Sequence, residues 1–147
     1  YEKQMTIILN PSPYDSGLDS CDLTKVSVFL INEVEGRQIS GYGDPQKILD
    51  VMREKFPTSK IVLTLGGDGS VYADGEQQIE QPIYKVKAVD TTAAGDTFTG
   101  FFVAGLVNGL PIKEVLDLCA RAAAIAVSRK GAVVSIPTMD EVLHTEL

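Results

Sequence analysis

The residues best suited to chemistry lie in one short stretch, Val89–Gly100, whose sequence is VDTTAAGDTFTG. Ala93, Ala94 and Gly95 carry little or no side chain, so nothing screens their backbone N–H groups. Apolar residues at helical spacing follow, which places these amides in the first turn of a predicted helix. Such amides have no acceptor within the helix, and the helix dipole adds partial positive charge. The sequence therefore predicts an anion-binding turn.

Asp96 follows these small residues directly, and its carboxylate is expected at the mouth of the same turn. Two interpretations are open. A carboxylate in the first turn stabilises a helix through the dipole. It is also well placed to accept a proton from a hydroxyl that attacks a phosphoryl group bound to the amides. The residue types alone do not separate the two.

A wider pattern surrounds the turn. The alternating run Ile83–Val89 predicts a strand before it. The run Asp90–Phe98, DTTAAGDTF, strongly resembles the signature D-T-x-[GA]-A-G-D-x-[FY] of the ribokinase (PfkB) family of sugar kinases. That resemblance implies ATP-dependent phosphorylation of a sugar hydroxyl. It assigns Asp96 as the catalytic base, and it forms the anion hole from Ala93, Ala94 and Gly95.

A second motif follows a near-continuous apolar run, Val26–Ile31, which predicts a strand covered on both faces, as in a parallel sheet. Asn32 and Glu35 come at its carboxyl end, where open parallel sheets bind ligands. By itself this pair is a polar start to a helix. The resemblance implies that Asn32 and Glu35 match the family's N-x-x-E motif, which organises phosphates and Mg²⁺, partly through water.

A third motif, GGDGS, begins at Gly66 after the predicted strand Lys60–Leu65. Glycines allow close backbone approach or positive φ. G-G-D-G-[ST] also occurs in NAD kinases, diacylglycerol kinases and phosphofructokinases of another fold, but without the downstream D-T-x-A-A-G-D turn. The loop resembles the T-x-G-x-x-G element of ribokinases. The resemblance implies a nucleotide site formed by Asn32, Thr64, Gly66, Gly67, Asp68, Gly69, Gly95 and Asp96.

A basic, glycine-containing segment, Ala126–Ala132, ends the last long predicted helix. In the family, the corresponding loop supplies oxygens to a monovalent cation, usually K⁺. The resemblance implies a K⁺ site at Asp90, Thr92, Ala126, Arg129, Gly131 and Ser135. One departure concerns base recognition, because Cys119 occupies a helix position where several relatives have an adenine-contacting Asn.

Composition limits the other possibilities. The 147 residues are 44% hydrophobic and 22% charged, which is typical of a soluble globular protein. The net charge of −7 argues against nucleic-acid binding. No apolar run is long enough to span a membrane and no signal peptide is present, so we expect a cytoplasmic protein without membrane contact. Cys21 and Cys119 are expected to be reduced thiols.

The expected fold is α/β, a mostly parallel sheet flanked by helices, with residues 1–147 as one domain. Other predicted elements include a strand at Gln4–Leu9 and a helix from Asp44 to Phe56. The resemblance covers only the C-terminal, nucleotide-binding half of the family, so the N-terminal half with the sugar-binding residues and the lid is expected to be absent. A sheet lacking those strands would expose an apolar edge, which predicts self-association, most simply as a homodimer.

The predicted function is transfer of the γ-phosphoryl group of ATP to a sugar such as ribose, with Mg²⁺ and K⁺. One alternative is a catalytically incomplete nucleotide-binding fragment or remnant. Another is a nucleoside or fructose-phosphate kinase of the same superfamily. The residues that would select the sugar are not found in this sequence.

Overall fold

The structure, a computed structural model, describes residues 3–147, apart from the side chains of Ser16 and Asp19. Within it, the strands are β1 (Ile8–Leu9), β2 (Val28–Asn32), β3 (Lys60–Thr64), β4 (Ser70–Ala73) and β5 (Gln78–Gln81). The helices are α1 (Glu33–Ser40), α2 (Pro45–Lys55), α3 (Ala94–Val107), α4 (Ile112–Val127) and α5 (Met139–His144). Contacts divide the chain into two compact units, residues 3–66 with 70–80 and residues 67–69 with 81–147.

The first unit is built on a sheet of strand order β1-β2-β3-β4-β5. β1 pairs with β2 and β2 with β3 in parallel, whereas β3 and β4 are antiparallel. This confirms the expected mostly parallel α/β fold. The register places Asn32 opposite Thr64 at the carboxyl ends of β2 and β3. Two residues predicted to bind one ligand are therefore neighbours across the sheet.

The core of the first unit forms where α2 packs on the sheet. Asp44 caps the helix by accepting from the Lys47 N–H at 2.9 Å, and Pro45 occupies the first turn. Apolar residues at helical spacing, Ile48, Leu49 and Met52, join a cluster with Phe29, Ile31, Ile61 and Leu63. Residues on the other face of β2 and β3, such as Leu30 and Val62, are buried too. The prediction of strands covered on both faces is confirmed.

The second unit is built on the pair α3 and α4. Gly105 of α3 lies so close to Val115 of α4 that an added Cβ would stand 2.8 Å from a Val115 methyl group. Further along, Ala122, Ile125 and Val142 form a buried cluster that attaches α5 to α4. Across residues 3–147, no helix is both long and apolar enough to cross a membrane.

Two predicted strands differ from the structure. Ile83–Val89 is not a strand, because within residues 3–147 no backbone amide of residues 83–88 donates to another backbone group. The alternation of apolar and polar residues in this segment matches its burial, since Tyr84 and Val86 are half-buried and their neighbours are exposed. The strand predicted at Gln4–Leu9 shortens to Ile8–Leu9, since only these two residues pair with β2. Alternating burial needs an extended chain on a surface, whereas a strand also needs a hydrogen-bonded partner.

Candidate functional site

The turn before α3, residues 90–96, presents unpaired backbone donors. Ala93 is the N-cap of α3 and has no side-chain cap. The amide of Ala94, another predicted donor of the anion hole, donates to the Thr91 carbonyl at 3.2 Å. The amides of Ala93, Gly95 and Asp96 have no acceptor among the described residues. Three such donors at the positive end of a 14-residue helix have the chemistry that anion binding requires.

The surroundings of this turn are open. Asp96 is exposed, and its carboxylate has no hydrogen bond or ion pair within residues 3–147. A Cβ built on Gly95 would meet no atom of the described residues within 4 Å. Thr97, the next residue, has a buried hydroxyl with no partner in the described part of the chain. No sequence signal had singled out Thr97, since burial of one hydroxyl in a helix is decided by packing.

The Asp90 carboxylate forms hydrogen bonds within the turn and with the loop after α4. Its Oδ1 accepts from the Thr92 N–H at 3.0 Å and from the Thr92 hydroxyl at 2.6 Å. Its Oδ2 accepts from the Gly131 N–H at 3.0 Å, across 41 positions of sequence. These bonds, from the Thr92 hydroxyl above all, lower the pKa of Asp90 below its usual value. The carboxylate therefore stays ionised and ties the turn to the loop after α4.

The remaining residues predicted to bind K⁺ lie in the last turn of α4 and in the loop that follows it. The Ala126 carbonyl accepts from the Arg129 N–H at 3.1 Å. Ser135 is buried, and its hydroxyl donates to the Ala132 carbonyl at 2.6 Å. Direct hydrogen bonds thus join Asp90 to Thr92 and to Gly131, whereas the bonds of Ala126 and Ser135 are local.

Glu141 of α5 was not predicted from the sequence as a partner of this loop. The Arg129 guanidinium forms an ion pair with Glu141 of α5, with Nη2 and Oε1 2.6 Å apart. Glu141 also completes a capping box with Thr138 at the start of α5. The signal was available, because T-x-x-E before a short apolar run is the sequence signature of such a box.

Asn32 and Glu35 in the first unit form another capping box. The Asn32 side chain accepts from the amides of Val34 and Glu35, and Glu35 accepts from the backbone N–H of Asn32 at 2.9 Å. Glu35 is only 4% exposed, yet no Lys, Arg or His among the described residues pairs with it. Buried carboxylates are normally paired or bound to metal. Both Glu35 oxygens do accept hydrogen bonds, one from the Asn32 N–H and one from the Asn32 side-chain amide at 3.1 Å. Carboxylate and amide oxygens are ligands suited to a hydrated divalent cation.

The glycine-rich loop follows β3, and its glycines differ in their constraints. Gly66 and Gly69 have φ of +53° and +95°. At Gly69 a Cβ would also lie 2.2 Å from the Gln81 carbonyl, so only glycine fits. At Gly66 and Gly67 a Cβ would meet no atom within 4 Å in the part of the chain that the structure describes. Asp68 is exposed in the same turn. Contact with the Gln81 backbone thus accounts for the glycine at position 69. Beside Gly66 and Gly67 the described residues leave open space.

Cys119 lies away from any ligand surface. Its side chain is fully buried between α3 and α4, and its thiol lies 3.5 Å from the Phe98 carbonyl. Burial raises the pKa of this thiol. In this structure the Cys119 side chain therefore serves the packing of α4 against α3.

Comparison with known proteins identifies the family of this chain. The family described as pfkB family carbohydrate kinase matches residues 2–139. This chain belongs to that family. Ribokinase from Schizosaccharomyces pombe is 49% identical over 146 residues, which cover 92% of this chain and 45% of that protein. The expectation that the chain resembles ribokinases is confirmed.

Two solved ribokinases agree in fold. Arabidopsis thaliana ribokinase complexed with ribose and ATP is 30% identical, with a TM-score of 0.83 over 97% of this chain and 47% of the plant chain. Ribokinase from Cryptococcus neoformans in complex with ADP is 28% identical, with a TM-score of 0.84 over 97% and 51% of the two chains. The chain spans about half the length of these pfkB relatives.

Proposed function

We propose that this pfkB chain supplies the nucleotide-binding and proton-accepting elements of an ATP-dependent sugar kinase. One observation carries the proposal: the amides of Ala93, Gly95 and Asp96 are unpaired at the start of α3, beside the free Asp96 carboxylate. Phosphoryl transfer needs little covalent help from a protein. It needs donors for the charge that develops on the transferred group and a base for the incoming hydroxyl.

In the proposed reaction the sugar hydroxyl attacks the γ-phosphorus of ATP, and Asp96 accepts the hydroxyl proton. The new P–O bond forms to the sugar, and the bond between the γ-phosphorus and the β,γ-bridging oxygen breaks to release ADP. The three amides stabilise the negative charge on the transferred oxygens. Thr64, Gly66, Gly67, Asp68 and Gly69 are proposed to lie along the nucleotide, with Asn32 towards its phosphates.

Two cations are part of the proposal. Glu35, buried without a cationic partner, would hold Mg²⁺ through water together with Asn32. Mg²⁺ bound to ATP neutralises phosphate charge. Asp90 and Thr92, with carbonyl or hydroxyl oxygens from Ala126, Arg129, Gly131 and Ser135, would hold K⁺. The support for K⁺ is the ionised Asp90 carboxylate, which joins the turn to that loop.

Ribose or a similar pentose is the proposed substrate, because the relatives compared above are ribokinases and the Arabidopsis protein is complexed with ribose and ATP. Self-association also remains a prediction. Val107, Val133 and Val134 in the second unit are each at least 80% exposed, which would favour it.

The test begins with calorimetric titration of the chain with Mg·ADP, first in K⁺ and then in Na⁺. We expect binding, and tighter binding in K⁺. Ribose-dependent release of ADP from ATP is then measured for the chain and for Asp96→Asn. This substitution should preserve ADP affinity and remove most of the turnover. Glu114→Gln is the matched control, because Glu114 is an exposed acid in the first turn of α4.

The outcomes separate the candidates. ADP binding without release of ADP in the presence of ribose, other pentoses, nucleosides or fructose phosphate would favour a nucleotide-binding fragment. Turnover with a nucleoside or fructose phosphate in place of ribose would reassign the substrate. An Asp96→Asn variant that turns over like Glu114→Gln would contradict the role of Asp96 as the base. Absence of ADP binding in both salts would reject the proposal.

A further inference from the structure

Glu141, at the third position of α5, uses its two carboxylate oxygens for different partners. Oε2 accepts from the Thr138 N–H at 2.8 Å and from the Thr138 hydroxyl at 3.2 Å. Oε1 accepts from Nη2 of Arg129 at 2.6 Å. One carboxylate therefore holds both the start of α5 and the Arg129 side chain.

The helix that carries Glu141 is itself anchored. Val142, the next residue, is fully buried in the cluster with Ala122 and Ile125 of α4. Arg121 of α4 donates to the Val142 carbonyl at 3.0 Å and to the Thr145 carbonyl at 2.6 Å. Because α5 is anchored to α4 at both its apolar face and its C-terminal end, the position of Glu141 relative to α4 is well defined. Glu141 can therefore constrain the loop between α4 and α5.

The contacts continue from Arg129 to the turn before α3. Arg129 lies two positions before Gly131, whose amide donates to Asp90. Gly131 has a φ of +102°, a conformation that glycine adopts readily. Asp90 in turn holds both the amide and the hydroxyl of Thr92. Hydrogen bonds, together with the two backbone steps from Arg129 to Gly131, thus connect α5 with the turn that precedes α3.

We propose that Glu141 is a positioning residue for the turn 90–96, because its hold on Arg129 keeps the Gly131 amide on Asp90. This inference rests on the proposed function wherever it concerns nucleotide affinity. The side chains of Arg129 and Glu141 are 36% and 40% exposed, and ion pairs of that kind contribute little to global stability. The effect of breaking the pair is therefore expected at the turn and in ligand binding.

Glu141→Gln is the selective change. A glutamine at this position still accepts from Thr138, as in a capping box, but it lacks the charge that holds Arg129. Thr138→Ala is the first control, since it weakens the cap and leaves the carboxylate. Asp140→Asn is the second, because it removes an equal charge from the neighbouring position, where Asp140 pairs with His144.

Two measurements are made on the full chain. Amide hydrogen exchange at Gly131, followed by NMR, reports on the bond to Asp90 without any ligand. Calorimetry reports the affinity for Mg·ADP in K⁺. For Glu141→Gln we expect exchange at Gly131 to accelerate and ADP affinity to fall, each by roughly threefold to tenfold, within the range for residues that couple through a contact network. Both controls should exchange at Gly131 and bind ADP as the unsubstituted chain does.

Arg129→Gln removes the same pair from its other side and should reproduce both effects. Combined with Glu141→Gln, it should add nothing further, because the two changes break one interaction. Unchanged Gly131 exchange in Glu141→Gln would overturn the inference, as would faster exchange with unchanged ADP affinity. If the unsubstituted chain binds no ADP, the proposed function fails. In that case, the comparison of amide hydrogen exchange at Gly131 between Glu141→Gln and the unsubstituted chain is the only test of whether Glu141 positions the turn.

Discussion

The change Gly105→Ala tests the close packing of α3 against α4, which supports the turn carrying Asp96. Gly105 is buried in α3, and an ideal Cβ there would lie 2.8 and 2.9 Å from the two Val115 methyl carbons and 3.2 Å from the Val115 Cβ. Real Cβ atoms do not approach other atoms below 3.0 Å. Val115 is fully buried and β-branched, so it has little freedom to rotate away.

The size of the effect follows from two opposing terms. Alanine is favoured over glycine inside a helix by about 1 kcal/mol. Overpacking a tight interface costs about 1–3 kcal/mol. With the added carbon in contact with both methyl groups, the second term should exceed the first. The free energy of unfolding should therefore fall by roughly 1–2 kcal/mol.

Gly100→Ala is the matched control. Gly100 belongs to the same helix and is exposed, and an added Cβ there would meet nothing within 4 Å. Only the helix-propensity term applies, so the chain should become more stable by about 0.5–1 kcal/mol. The same substitution in one helix thus has opposite expected signs at two positions, because at Gly105 the three atoms nearest the added carbon all belong to Val115.

The assay is urea unfolding followed by far-ultraviolet circular dichroism, with the denaturant slope compared among variants. A second pair of proteins measures Gly105→Ala in a Val115→Ala background. There the methyl groups are gone, and the added carbon should be neutral or stabilising. If Gly105→Ala is as stabilising as Gly100→Ala in the unsubstituted background, the two helices are not packed as described, and the reasoning is refuted.

Two further predictions concern ionisable groups. The hydrogen bonds from Thr92 and Gly131 lower the pKa of Asp90, so its stabilising contribution is present above the ordinary value of 3.8 and is lost as pH falls through the lowered one. The difference in unfolding free energy between the unsubstituted chain and Asp90→Asn should therefore be constant near neutral pH. Below about pH 4 the unsubstituted chain should lose the stability that the ionised Asp90 provides. An identical difference at pH 3 and pH 6 would contradict this. The Cys119 thiol is buried and its pKa is raised, whereas Cys21 is exposed. A coloured disulfide reagent should therefore detect one reactive thiol in the native chain and two in the urea-unfolded chain. Two rapidly reacting thiols in the native state would count against burial of Cys119.

Much of the local structure was determined by the sequence, because local rules were sufficient. Asp44-Pro45 begins α2 as predicted, since an acceptor side chain followed by proline is a strong N-terminal signal. The apolar run after Val26 became a strand buried on both faces. The small residues before Asp96 became the start of α3, where the amides of Ala93, Gly95 and Asp96 have no acceptor among the described residues.

The tertiary structure decided what depends on distant partners. Ile83–Val89 alternates like a strand, but no neighbouring strand pairs with it in the described chain, so it remains irregular. The amide of Ala94 is occupied by Thr91 through a turn geometry that residue types do not specify. The bond of Asp90 to Gly131 spans 41 positions, and the pair of Arg129 with Glu141 spans 12. Chain folding alone brings such groups within hydrogen-bonding distance, because composition and periodicity describe only what lies within one or two turns of each residue.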